Sequence, residues 1–110
     1  MNTILIAIDG SGPSDAALRT GLEIAEAEDA AVVLVHVAPS TDVLPVSLFG
    51  ATAAVEHAPT ADDVAPLTAA AEIADAHAVR ATTRLLSGDA ADEIVACADS
   101  IRADLIVIGS

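Results

Sequence analysis

The chain has 110 residues, 54% of them hydrophobic, with Phe49 as its one aromatic side chain, so it reads as one folded domain with an aliphatic core. Seventeen acids stand against four arginines and no lysine, a net charge of −13. Such a surface repels phosphate backbones and anionic membranes, which argues against nucleic acid or a membrane as partner.

Thr3 to Ile8 reads as a mostly apolar strand ending at Asp9. Gly10 to Gly12 forms a turn, and Pro13 suits the first position of a helix, where its missing N–H costs nothing. From Ser14 to about Glu28, Leu18, Gly21, Leu22 and Ala25 recur at helical spacing, leaving Arg19, Glu23 and Glu26 to water. Ala31 to Val37 is a second apolar strand, rich in β-branched residues. Ala38 to Pro59 shows no clear period and holds Pro39, Pro45, Gly50 and Pro59. It is expected to be a long variable connection, centred on about 39–60, with a short helical turn around Val46 to Val55.

A second helix is expected from Ala61 or Asp62 to His77, with Pro66 near its first turn. Val79 to Leu86 is a third, less apolar strand, which places it toward a sheet edge. Ser87-Gly88-Asp89 is a turn in which Asp89 caps a helix from Ala90 to Arg102, with Ile94, Cys97, Ala98 and Ile101 on one face. Asp104 leads into the final strand, Leu105 to Ile108. Strands alternating with helices imply a doubly wound open parallel sheet, in three α/β/α layers.

In such sheets ligands bind outside the carboxyl ends of the strands, near the switch in strand order. Those ends carry Asp9-Gly10-Ser11, His36-Val37-Ala38, Ser87-Gly88-Asp89 and Gly109-Ser110. Glycine turns admit close backbone approach, and two of these turns precede a helix N-terminus, which favours anions. Neither standard phosphate fingerprint is complete. Asp15 stands where the third glycine of G-x-G-x-x-G belongs, and a chain without lysine has no G-x-x-x-x-G-K-[ST].

Other side chains carry less. Cys97 sits in an apolar helical stripe and reads as a core residue, and as the one cysteine it has no internal disulfide partner. His36 reads as a packed, hydrogen-bonded strand histidine. His57 with Asp62 and Asp63 reads as a solvated loop rather than a metal site, and no catalytic triad has telling spacing. With no signal-like N-terminus and no apolar run of about 18 residues, the protein is expected in the cytoplasm. Absence of lysine beside abundant acids and alanines points to a salt-accumulating, halophilic setting, where a Debye length of about 3 Å screens the self-repulsion.

Three blocks, Ile4-Leu5-Ile6-Ala7-Ile8-Asp9-Gly10-Ser11, Val33-Leu34-Val35-His36-Val37 and Ala103-Asp104-Leu105-Ile106-Val107-Ile108-Gly109-Ser110, resemble the universal stress protein family. The resemblance covers the whole chain and is weakest over residues 39–78. It implies a Rossmann-like fold of the adenine-nucleotide alpha-hydrolase-like kind, with five parallel strands. In one branch of the family it implies ATP binding, and Asp9 is the carboxylate considered for an accompanying Mg²⁺. There Asp9 would contact the nucleotide near adenine and ribose, Ala7 and Ile8 would line the pocket, and Val37 would meet adenine through its backbone. Gly109, preceded by Ile108, matches the first glycine of G-x-x-G-x9-G-[ST], and the chain stops at Ser110. The last helix and strand of the family fold are therefore expected to be missing, and the chain to be truncated. That leaves an apolar sheet edge that favours a homodimer. The expected function is a stress-response module that binds adenine nucleotide. The alternatives are a structural, oligomerising member without ligand, or a slow ATP hydrolase, for which no base or metal cluster is visible.

Overall fold

The structure, a computed structural model, describes residues 2–38, 44–48, 51–55 and 61–109. The elements run β1 (Thr3–Ala7), α1 (Gly12–Glu28), β2 (Ala31–Ala38), β3 (Leu44–Leu48), β4 (Ala51–Val55), α2 (Ala61–Ala76), β5 (Ala81–Ser87), α3 (Ala90–Ile101) and β6 (Leu105–Ile108). Four strands form a parallel sheet in the order β5-β2-β1-β6.

The strand order follows from the chain's patterning. β1 and β2 are almost wholly apolar, with only Thr3 and His36 polar, because both faces of the sheet are covered where they lie, and Ile4, Leu5 and Ile6 are fully buried. β5 carries Thr82, Thr83 and Arg84 in exposed positions, as an edge strand tolerates. The units β1-α1-β2 and β2-α2-β5 step in one direction across the sheet. α3 carries the chain back from β5 to β6, on the far side of β1. With right-handed crossovers, α1 and α2 then share one face and α3 covers the other.

The core divides accordingly at a period of two residues. Ile4, Ile6, Ile8, Val32 and Leu34 pack with Leu18, Leu22 and Ala25 of α1 and Leu67, Ala70 and Ala74 of α2. Leu5, Val33 and Val35 pack on the opposite face with Ile94, Cys97 and Ala98 of α3. Each fully buried leucine or isoleucine contributes about 1.5–3 kcal/mol. Cys97 is a buried free thiol, in keeping with its reading as a core residue. Asp104 pins the amino end of this arrangement: its Oδ2 accepts the Asn2 N–H at 2.7 Å and the Thr3 N–H at 3.0 Å.

Several boundaries differ from the sequence expectation. α1 begins at Gly12, one residue before Pro13, because the Ser11 hydroxyl caps it by accepting the Ser14 N–H at 3.3 Å. Pro66 is the sixth residue of α2, in its second turn. Asp89 caps α3 as expected, accepting the Asp92 N–H at 3.0 Å, and Arg102 ends that helix in the left-handed conformation. The expected helical turn at 46–55 is replaced by an antiparallel pair, β3 with β4, in register from Leu44↔Val55 to Leu48↔Ala51. Leu44, Val46 and Leu48 recur at the two-residue period of a strand, which outweighs the proline. No helix among the described residues is long and apolar enough to cross a membrane.

Candidate functional site

The strand order reverses between β1 and β6, since the chain leaves β1 toward β2 and returns to its other side only at β6. Two neighbouring strands whose connections depart to opposite faces leave a crevice at their carboxyl ends. Into this crevice run Asp9-Gly10-Ser11 from β1 and Gly109 from β6.

The turn after β1 is built from its own polar groups. Gly10 has φ +82°, a conformation that residues with a Cβ avoid, and it folds the chain back so that Asp9 Oδ1 accepts the Ser11 N–H at 2.8 Å. Ser14, 1% exposed, reaches back from α1 and accepts the Asp9 N–H through its Oγ at 3.0 Å. Sequence reasoning treated Ser14 only as the start of a helix, whereas it is the post that holds the turn. The Ser11 hydroxyl and N–H, with smaller help from the Ser14 hydroxyl and His36, hold the Asp9 carboxyl below its ordinary value of 3.8 against a weak desolvation effect. Asp9 is exposed and ionised at neutral pH, a pure acceptor suited to hydroxyl donors such as a ribose and unsuited to a phosphate.

The other wall is β6. Ala7 pairs with Ile108, so Ile8, Asp9 and Gly109 all lie just past the same rung of the sheet. Gly109 rests on the first turn of α1. A Cβ there would run into the Pro13 carbonyl and lie 2.7 Å from Ser14 N, so only glycine lets the two backbones meet. Ile108 is 56% exposed, Ala7 is half-buried beside the α3-side core, and Ile8 is buried toward α1 and α2. Ser110 lies outside the described residues.

Val37 lies on β2, two residues beyond Val35, the partner of Ala7. Its side chain packs on the α3-side cluster, which leaves only its backbone to serve the carboxyl edge. Next to it, His36 Nδ1 stands 2.7 Å from the Ile8 carbonyl oxygen. A carbonyl only accepts, so Nδ1 carries the hydrogen. This agrees with the expectation of a hydrogen-bonded histidine. Ala7, Ile8, Asp9, Val37, Ile108 and Gly109 are thus gathered at one sheet edge.

A cleft of about 540 Å³ lies elsewhere, between α2 and β5, lined by Leu67, Ala71, Glu72, Asp75, Thr83 and Leu85 among others. It flanks the sheet's side edge, has no glycine turn, and faces two carboxylates, so an anionic ligand has no reason to settle there. No group of three or more His, Cys, Asp or Glu gathers to hold a metal among the described residues. His57 lies outside them.

A model of the universal stress protein family matches residues 1–110. Among solved structures, a universal stress protein in complex with cAMP is 24% identical, with a TM-score of 0.72 over 96% of this chain and 69% of its own. A universal stress protein family member from Burkholderia pseudomallei is 28% identical, with a TM-score of 0.67 over 99% of this chain and 81% of its own. A universal stress protein from Archaeoglobus fulgidus in complex with dAMP is 23% identical, with a TM-score of 0.71 over 98% of this chain and 79% of its own. Comparison with curated proteins gave no match. The chain belongs to the universal stress protein family.

Proposed function

We propose, from membership of the universal stress protein family, that this chain is a single-domain adenine-nucleotide binding module that acts in a stress response through conformation or assembly. The observation that carries the reading is the switch in strand order between β1 and β6, with Asp9 on its glycine turn and Gly109 both lying just past the last rung, Ala7↔Ile108. Asp9 is the group for ribose hydroxyls and the Val37 backbone is the group for adenine, while Ala7 and Ile8 offer only their backbone at the strand end because their side chains pack into opposite faces of the sheet. Ile108 and Gly109 are assigned to the phosphate side, and Ser110, outside the described residues, is assigned to it from the sequence resemblance alone. Two of the similar structures hold cAMP and dAMP, which supports an adenine nucleotide as ligand. ATP, with Mg²⁺ accompanying its phosphates, is the nucleotide proposed. The setting proposed is a salt-rich cytoplasm.

A second reading, a homo-oligomer that works without ligand, is favoured by one feature. Ile106 and Ile108 stand 38% and 56% exposed on β6, a strand with only β1 beside it in the described sheet. Calorimetric titration of Mg-ATP into the chain in molar KCl, with light scattering to follow assembly, separates the two. Saturable micromolar binding is the result expected of the nucleotide module. A folded dimer that takes up no heat supports the second reading.

A further inference from the structure

In a parallel ladder the N–H and C=O of one residue face the same neighbouring strand, and alternate residues face alternate neighbours. On β2 the Val35 carbonyl accepts the Ile8 N–H at 2.7 Å, so Val35 and, two residues on, Val37 face the β1 side. Ala38 faces β5, where its carbonyl meets the Gly88 N–H at 3.4 Å. The next rung toward β1 would be the Val37 N–H donating to the Ile8 carbonyl. That rung is not made. Pairing stops at Ala7↔Val35, and the Ile8 carbonyl accepts from His36 Nδ1 instead. The Val37 N–H and C=O have no backbone partner among the described residues.

We infer that His36 is a positioning residue of the site: its imidazole takes the Ile8 carbonyl out of the ladder and leaves the Val37 N–H and C=O as a donor–acceptor pair beyond the end of β1, beside Asp9. The inference rests on the nucleotide reading and says how the base is chosen. Adenine presents an acceptor at N1 and a donor at its 6-amino group, which complement that pair. Hypoxanthine, with N1–H and a 6-oxo group, presents the reverse polarity and leaves both backbone groups opposed. The ring shape of histidine is not itself required. Phenylalanine has a similar outline without a donor, whereas asparagine places an N–H near the position of Nδ1.

Amide hydrogen exchange on the full chain reads the ladder directly. Val37 is expected to exchange at least about tenfold faster than Val35 in the unsubstituted chain, as an unbonded amide should beside a bonded one. His36→Phe lets Val37 bond the Ile8 carbonyl and slows its exchange by at least about tenfold, while His36→Asn leaves it fast. A Val37 amide as protected as Val35 in the unsubstituted chain overturns the inference, whether or not either variant folds. The second arm titrates AMP and IMP. His36→Phe should cut the preference for AMP over IMP by about fivefold to tenfold, the effect of roughly one hydrogen bond, and leave ribose 5-phosphate affinity unchanged. An unchanged AMP-to-IMP ratio also overturns it. If the unsubstituted chain binds neither, the nucleotide reading and base selection fall together, and hydrogen exchange still decides whether His36 ends the ladder.

Discussion

Gly109→Ala tests the seam on which the crevice depends. A Cβ at Gly109 would overlap the Pro13 carbonyl and approach Ser14 N to 2.7 Å. Both obstacles are backbone, so no rotamer change relieves them. Either the end of β6 or the first turn of α1 has to move. Overpacking of this kind costs about 1–3 kcal/mol, and two backbone partners put the expected loss in the upper half, about 2–3 kcal/mol. For a domain of this size the melting temperature should fall by about 10 °C or more. Gly12→Ala is the matched control, because nothing lies within 4 Å of a Cβ there and alanine suits the first residue of a helix. It should be neutral or stabilise by about 0.4–1 kcal/mol. Denaturant unfolding followed by far-ultraviolet circular dichroism, at one salt concentration, measures both. Equal midpoints for Gly109→Ala and the unsubstituted chain would refute the close approach of β6 to α1.

Other perturbations follow from the same geometry. Asp9→Ala removes an exposed carboxylate whose one backbone contact is the Ser11 N–H, so stability should change by less than about 1 kcal/mol, while AMP affinity measured by calorimetry drops at least about tenfold. The Asn2 and Thr3 N–H groups, helped by the terminal amine, hold the Asp104 carboxyl below its ordinary value of 3.8. A depressed folded-state value means that this contribution is complete above about 3.8 and disappears as pH falls through the lower, folded value. The stability difference between the unsubstituted chain and Asp104→Asn should therefore be wider at pH 7 than at pH 3 in paired unfolding curves. With a net charge of −13, raising KCl from 0.1 to 1 M shortens the screening length from about 10 to about 3 Å and should raise the melting temperature. A flat salt response in scanning calorimetry would remove self-repulsion from the account.

The alternation of elements was legible because β1 and β2 are apolar runs that a two-sided sheet requires, and because Leu18, Leu22 and Ala25 repeat at helical spacing. The edge position of β5 was legible from Thr82, Thr83 and Arg84 for the complementary reason. The residues of the crevice were legible through a general rule about strand ends and the resemblance of three short blocks. What escaped were long-range backbone contacts that leave no periodic trace. Ser14 holding the Asp9 N–H, Gly109 seated on Pro13, and His36 capturing the Ile8 carbonyl each join residues through backbone atoms rather than side-chain patterning. The pairing of β3 with β4 was missed because Pro45 and Gly50 signal a loop more loudly than three residues at period two signal a strand.

The most direct test of the central claim is an amide chemical-shift map of the chain during titration with AMP in molar KCl. The account predicts saturable shifts confined to Ile8 through Ser11, Val37 and Gly109, with Glu72, Asp75 and Thr83 of the α2–β5 cleft unmoved. Shifts centred on that cleft, or none at millimolar AMP in a folded chain, would contradict it.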